Sequence, residues 1–236
     1  MSRRPPPRRP PPRRQPVRRP PARRSGPPAG LVVVGGLVAV VVLALVVALA
    51  AGGGGGSGTK ATTSGTTFLD YGNVQVTGTA LPAFANGQPA KGDGLPLPTI
   101  RGQSPKGEQV TIAPTNGMQV VIVGAPWCPH CNKELPQVAS ALQAGTLGQI
   151  KVTLVVSGQL SNADNWPPGN WVFNTLHWPP TIAPVVFDDK ASTAAAALGT
   201  PAYPYFVFVD SQGRVGSRDS GEIGLDKLVA HIRALH

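Results

Sequence analysis

The chain has 236 residues and a formal charge of +10, a sum that by itself would point to a nucleic-acid binder. Its distribution excludes that: ten of the 21 basic residues are arginines before Leu31, and the 11 that remain match 11 acidic residues, so the body of the protein is formally neutral. Two cysteines, Cys128 and Cys131, leave no room for a disulfide framework of several bridges.

Residues 1–30 repeat arginine pairs and prolines, RRPPP RRPPP RRQPV RRPPA RRSGP. Proline excludes helix and the arginines repel one another, which predicts a disordered cytoplasmic tail with polyproline character. Residues 31–51, LVVVGGLVAVVVLALVVALAA, hold no charged or polar side chain and are long enough to cross a bilayer, so a transmembrane helix is expected. Arginines on its N-terminal flank put that end inside and everything after Gly52 outside the cytoplasm. The expected location is the cell membrane, single-pass; Ala48-Leu-Ala50 also resembles a signal-peptidase site.

A flexible Gly/Ser/Thr linker, 52–67, reaches roughly 20 Å. Residues 68–98 are expected to be an N-terminal extension with a short strand in Tyr71-Gly-Asn-Val-Gln-Val-Thr77. From 99 to 236 the periodicities are those of one α/β domain. Strands are expected at Gln109 to Ile112, Met118 to Val123, Lys151 to Val156, Ala183 to Phe187, Tyr205 to Val209 and Arg214 to Ser217. Helices are expected at Pro129 to Ala144, Asn170 to Leu176, Ala191 to Leu198 and Leu225 to Leu235.

The chemistry lies in Gly124-Ala-Pro-Trp-Cys-Pro-His-Cys-Asn-Lys-Glu-Leu-Pro136. Two cysteines separated by two residues can form a structural bridge, supply two metal ligands or act as a redox couple. So small a loop constrains little of the unfolded chain. A metal needs further ligands, and His177, His231 and His236 show no ligand spacing. Haem attachment needs histidine where Asn132 stands. At the junction of a buried strand and a helix, the helix N-terminus stabilises a thiolate at Cys128, making it the expected nucleophile, with Cys131 one turn further in as the resolving thiol. Pro129 fits the first helical turn, and His130 brings a donor or positive charge near the same sulfur. Trp166, Trp171 and Trp178 are expected to pack, and His177 to be structural.

WCPHC after an apolar strand resembles the motif of the thioredoxin superfamily. Pro129-His130 is similar to the dipeptide of DsbA-type oxidases, while Glu134 and Pro136 resemble positions of the membrane-tethered TlpA/ResA-like branch. A second match is Ala197-Leu-Gly-Thr-Pro-Ala-Tyr-Pro-Tyr-Phe-Val-Phe-Val-Asp210, in which Gly199 and Pro204, the latter 73 residues beyond Cys131, resemble the glycine and cis-proline of that family. Tyr205 replaces the usual threonine and Tyr203 precedes the proline.

The resemblance implies a thioredoxin-like fold, a central mixed sheet flanked by helices, after the transmembrane helix. It implies a thiol-disulfide oxidoreductase needing no dissociable cofactor and no metal, with Cys128, Cys131, Pro129, His130 and Glu134 as catalytic residues. Trp127, Tyr203 and Pro204 would meet the substrate. The implied partners are protein thiols or disulfides and a membrane or extracytoplasmic redox partner, with no nucleic acid. Electron flow could be oxidative, or reductive as in cytochrome c maturation. A non-catalytic binding or metallochaperone module on the same scaffold is the alternative of another class.

Overall fold

A computed structural model of the protein describes residues 67–85 and 92–236. The expected tail, transmembrane helix and nearly all of the linker lie outside the described residues. Among the described residues no helix is long and apolar enough to cross a membrane.

Among the described residues eight strands form one sheet: β1 (Gln75–Thr77), β2 (Thr99–Gln103), β3 (Gln109–Ile112), β4 (Gln119–Gly124), β5 (Lys151–Val156), β6 (Val185–Phe187), β7 (Tyr205–Val209) and β8 (Val215–Ser220). Their order is β1-β2-β6-β5-β4-β7-β8, with β3 also paired to β2. The centre is parallel, β4 with β5 and β5 with β6, while β7 runs antiparallel to β4 and β8 antiparallel to β7. The helices are α1 (Pro129–Gln143), α2 (Pro168–Asn170) continuing into a π-helical turn (Trp171–Thr175), α3 (Thr193–Ala197) and α4 (Gly224–Arg233).

The continuous apolar runs of β4 and β7 follow from burial on both faces. Successive side chains of a strand point to opposite faces, so Val120 and Ile122 join Leu135 and Val138 of α1, Trp171, Phe206, Phe208 and Leu228. Val121 and Val123 join the opposite core with Val186, Tyr205, Val207, Ala194 and Leu198. Leu81 and Phe84, from before the expected domain boundary, belong to this second core.

The N-terminal extension is thereby part of the sheet and of its packing. β1 pairs with β2 from Gln75 opposite Arg101 to Thr77 opposite Thr99. The strand is shorter than expected, because residues 71–74 lead into it without ladder pairing, the Gly72 amide going to the Asp188 carbonyl and the Asn73 amide to Gln103 Oε1. Further on, Leu81 and Phe84 donate their amides to the carbonyls of Ala197 and Gly199. At Gly199 φ is +72°, and a side chain would fall on the Pro82 carbonyl, so glycine satisfies both the turn and the close approach.

Candidate active site

β4 ends at Gly124, and Ala125 to Trp127 turn the chain into α1 with Cys128 as its N-cap. Pro129 takes the first helical position, where its missing amide costs no hydrogen bond. Both cysteines are free and buried, Cys128 at 4% exposure and Cys131 at 0%. Cys128 Sγ lies 3.4 Å from the Tyr203 carbonyl, to which its thiol donates. The next peptide bond, Tyr203–Pro204, is cis. The loop before β7 and the N-terminus of α1 therefore meet at this sulfur.

Cys131 stands one turn into the helix among Leu135, Trp171 and Gly124. A methyl group at Gly124 would come 2.8 Å from Leu135 Cδ1, 3.1 Å from Trp171 Cη2 and 3.6 Å from Cys131 Sγ, so glycine keeps the space into which α1 packs. Burial pushes the Cys131 thiol far above its usual range, and the nearby Cys128 and Glu134 add to the effect. Cys131 is thus held as a thiol at neutral pH, whereas Cys128 has the helix N-terminus at its sulfur.

Two further connections brace the rim. Trp127, 39% exposed, donates Nε1–H to the Gly158 carbonyl at 2.6 Å and meets the Tyr203 ring edge-on, with centroids 5.9 Å apart. Burial raises the Tyr203 pKa above the usual value, with the nearby Ser157 side chain acting against the rise. Ser157 donates to Asp188 Oδ2 at 2.7 Å, and the same fully buried carboxylate accepts the amides of Asp189, Ala194 and Ala195. Burial raises the Asp188 pKa even against those donors. Asp188 therefore holds the start of α3 and, through Ser157, the end of β5 beside the Gly158 carbonyl that Trp127 bonds. The acidic pair Asp188-Asp189 before an alanine run is the sequence signal that could have shown it as a helix cap.

Glu134 is buried at 4% exposure on the same helix. Its Oε1 accepts the Gly224 amide at 2.8 Å, and both its oxygens lie within reach of the Ile223 amide, at 3.1 and 3.2 Å. It thus caps α4. Burial outweighs these bonds and raises its pKa, with Glu222 and Asp219 adding to the rise. His130 points outward, 62% exposed, with Nδ1 2.7 Å from Glu222 Oε1. The other oxygen of Glu222 pairs with Lys133. Glu222 carried no signal in the sequence, since it meets these residues from 89 and 92 positions away.

The three other tryptophans pack as expected. Trp171 and Trp178 are buried, with Trp171 Nε1 donating to Asn132 Oδ1 at 2.6 Å and Trp178 Nε1 to the Ala183 carbonyl at 2.8 Å. Trp166 lies against Tyr71. Among the described residues no group of three or more His, Cys, Asp or Glu could hold a metal ion.

No family model and no curated protein matches the sequence. Solved structures do. A DsbF homologue from Corynebacterium diphtheriae aligns over 67% of this chain and 100% of its own, at 20% identity and a TM-score of 0.51. A thiol:disulfide interchange protein from Bacteroides sp. covers 60% of this chain and 88% of its own at 19% identity and a TM-score of 0.45. A secreted Mycobacterium tuberculosis disulfide oxidoreductase homologous to E. coli DsbE covers 57% and 95% at 18% identity and a TM-score of 0.43. The likeness to the first, together with the mixed sheet and the helix that Cys128 caps, gives this chain a thioredoxin-like fold.

Proposed function

We propose that the protein is a thiol-disulfide oxidoreductase that exchanges disulfides with protein substrates through Cys128 and Cys131. The observation that carries this is the placement of Cys128 at a helix N-terminus against the Tyr203 carbonyl, with Cys131 buried one turn behind it. In the oxidative direction a substrate thiolate attacks Cys128 Sγ of the disulfide. The Cys128–Cys131 bond breaks, and Cys131 leaves and takes up a proton, which its burial favours. The second substrate thiolate then attacks the substrate sulfur of the mixed disulfide and expels Cys128. Two electrons have passed from the substrate dithiol to the cysteine pair, and the reverse sequence reduces a substrate disulfide.

Trp127, Tyr203 and Pro204 line the rim where the substrate sulfur would arrive. Glu134, with its raised pKa on the helix that carries both thiols, is the group suited to hold a proton near Cys131. The apolar segment 31–51 and the arginines before it support a membrane-tethered domain outside the cytoplasm.

The test is trapping. Cys131→Ser should accumulate mixed disulfides with substrate proteins on non-reducing gels, because the thiol that releases them is gone, and Cys128→Ser should accumulate far fewer. Equal trapping by both would overturn the assigned roles. No trapping by either, with wild-type protein inert toward glutathione, would favour a binding module on the same scaffold.

A further inference from the structure

The turn between β8 and α4 is joined to the cysteine-bearing helix by two carboxylates facing opposite ways. Glu134 of α1 takes the amides of Ile223 and Gly224. Glu222 of the turn takes His130 and Lys133 of α1. The first link is buried and satisfies the start of α4. The second lies at the surface, where no packing requires it, and it engages His130, one of the two residues between the cysteines. Bonding to Lys133, and then to His130, lowers the Glu222 pKa, so the carboxylate is charged at neutral pH.

The consequence concerns Cys128. A positive group beside a thiolate favours the thiolate, and whatever favours the reduced form of a cysteine pair makes its disulfide a stronger oxidant. His130 follows the nucleophile by two residues, yet its Nδ1 faces the carboxylate of Glu222. The other charged groups around that carboxylate are Lys133, Glu134 and Asp219, and Asp219 is itself paired with Lys227 and His231. We propose that Glu222 is a positioning residue for the cysteine pair: it holds the His130 ring outward and sets a charged carboxylate beside it, and so makes the Cys128–Cys131 disulfide less oxidising than it would be without that carboxylate. This rests on the redox function proposed above. It adds a residue far along the chain that sets the poise of the couple.

The experiment is a glutathione equilibrium of the full chain in detergent, read by the mass added on thiol alkylation. Wild type, Glu222→Gln, Glu222→Ala, His130→Gln and the double variant His130→Gln/Glu222→Ala are compared. Removing the carboxylate should shift the equilibrium toward the dithiol at least threefold, which is about 14 mV at 29.6 mV per tenfold. In the His130→Gln background the same removal should give less than half of that shift. Iodoacetamide labelling of Cys128 at mildly acidic pH should quicken in Glu222→Ala, a readout that a purely structural role would not move. An unchanged equilibrium in both Glu222 variants, or an equal shift with and without His130, overturns the inference. A wild-type pair that does not exchange with glutathione overturns the function beneath it, a distinct result.

Discussion

Replacing Asp188 by alanine tests whether one buried carboxylate holds both a helix and the rim of the cysteine site. The residue is fully buried and its oxygens accept the amides of Ala194 and Ala195 at 2.8 and 3.0 Å, both in buried surroundings, along with the Ser157 hydroxyl. Each buried amide left without an acceptor costs about 1–3 kcal/mol. Removing a charge that burial already disfavours offsets part of this, so the expected loss is about 2–4 kcal/mol, a large share of a typical domain's stability of about 5–15 kcal/mol. Urea unfolding followed by tryptophan fluorescence measures it. The pH dependence supplies a second check. Burial raises the folded-state pKa above the unfolded value of 3.8, so the folded state holds the proton more tightly. The contribution of Asp188 to stability is then greatest in acid and declines as pH rises from 3.8 through the raised value, above which it is level. The cost of Asp188→Ala should therefore be larger near about pH 4 than near about pH 7. A variant within about 1 kcal/mol of wild type, or a cost that grows with pH, would refute the reasoning.

Gly124→Ala should destabilise by about 1–3 kcal/mol, since the added methyl group presses on Leu135 and Trp171, and thermal unfolding reads it directly. Trp127→Ala loses the bond to Gly158 and the edge contact with Tyr203, so exchange with a peptide disulfide should slow while unfolding changes little. In Cys128→Ser the remaining Cys131 should resist alkylation at neutral pH and react only on denaturation, because burial holds it as a thiol. Protease added to intact cells should remove the folded domain and spare the arginine-rich tail; cleavage of the tail would reverse the expected topology.

Sequence patterns reached the core strands almost to the residue because those runs have one feature in common. β5 and β7 are buried along nearly their whole lengths, so apolar residues dominate both runs. β2 was missed: in TIRGQ only Ile100 is a buried hydrophobe, and Gly102 is there because Val186 packs where its side chain would be. The cysteines and the loop opposite them were legible because both carry local motifs. What stayed hidden was every long-range polar link. Glu134 reads as an ordinary helix residue until the turn at Ile223 and Gly224 closes on it, and His130 reads as a neighbour of the sulfur until Glu222 is seen facing its ring. Such pairings depend on tertiary closure, for which helical and strand periodicities carry no information.

The pairing of β1 with β2, and the amides that Leu81 and Phe84 give to Ala197 and Gly199, bear on how this domain could be cut from its chain. A fragment begun at Thr99 would leave one side of β2 with unpaired backbone groups beside an uncovered second core, a template for sheet-to-sheet aggregation. Trimmed this way, the cysteine pair would sit on a sticky, self-associating particle, and any loss of exchange activity would report that clumping and say nothing of the thiols.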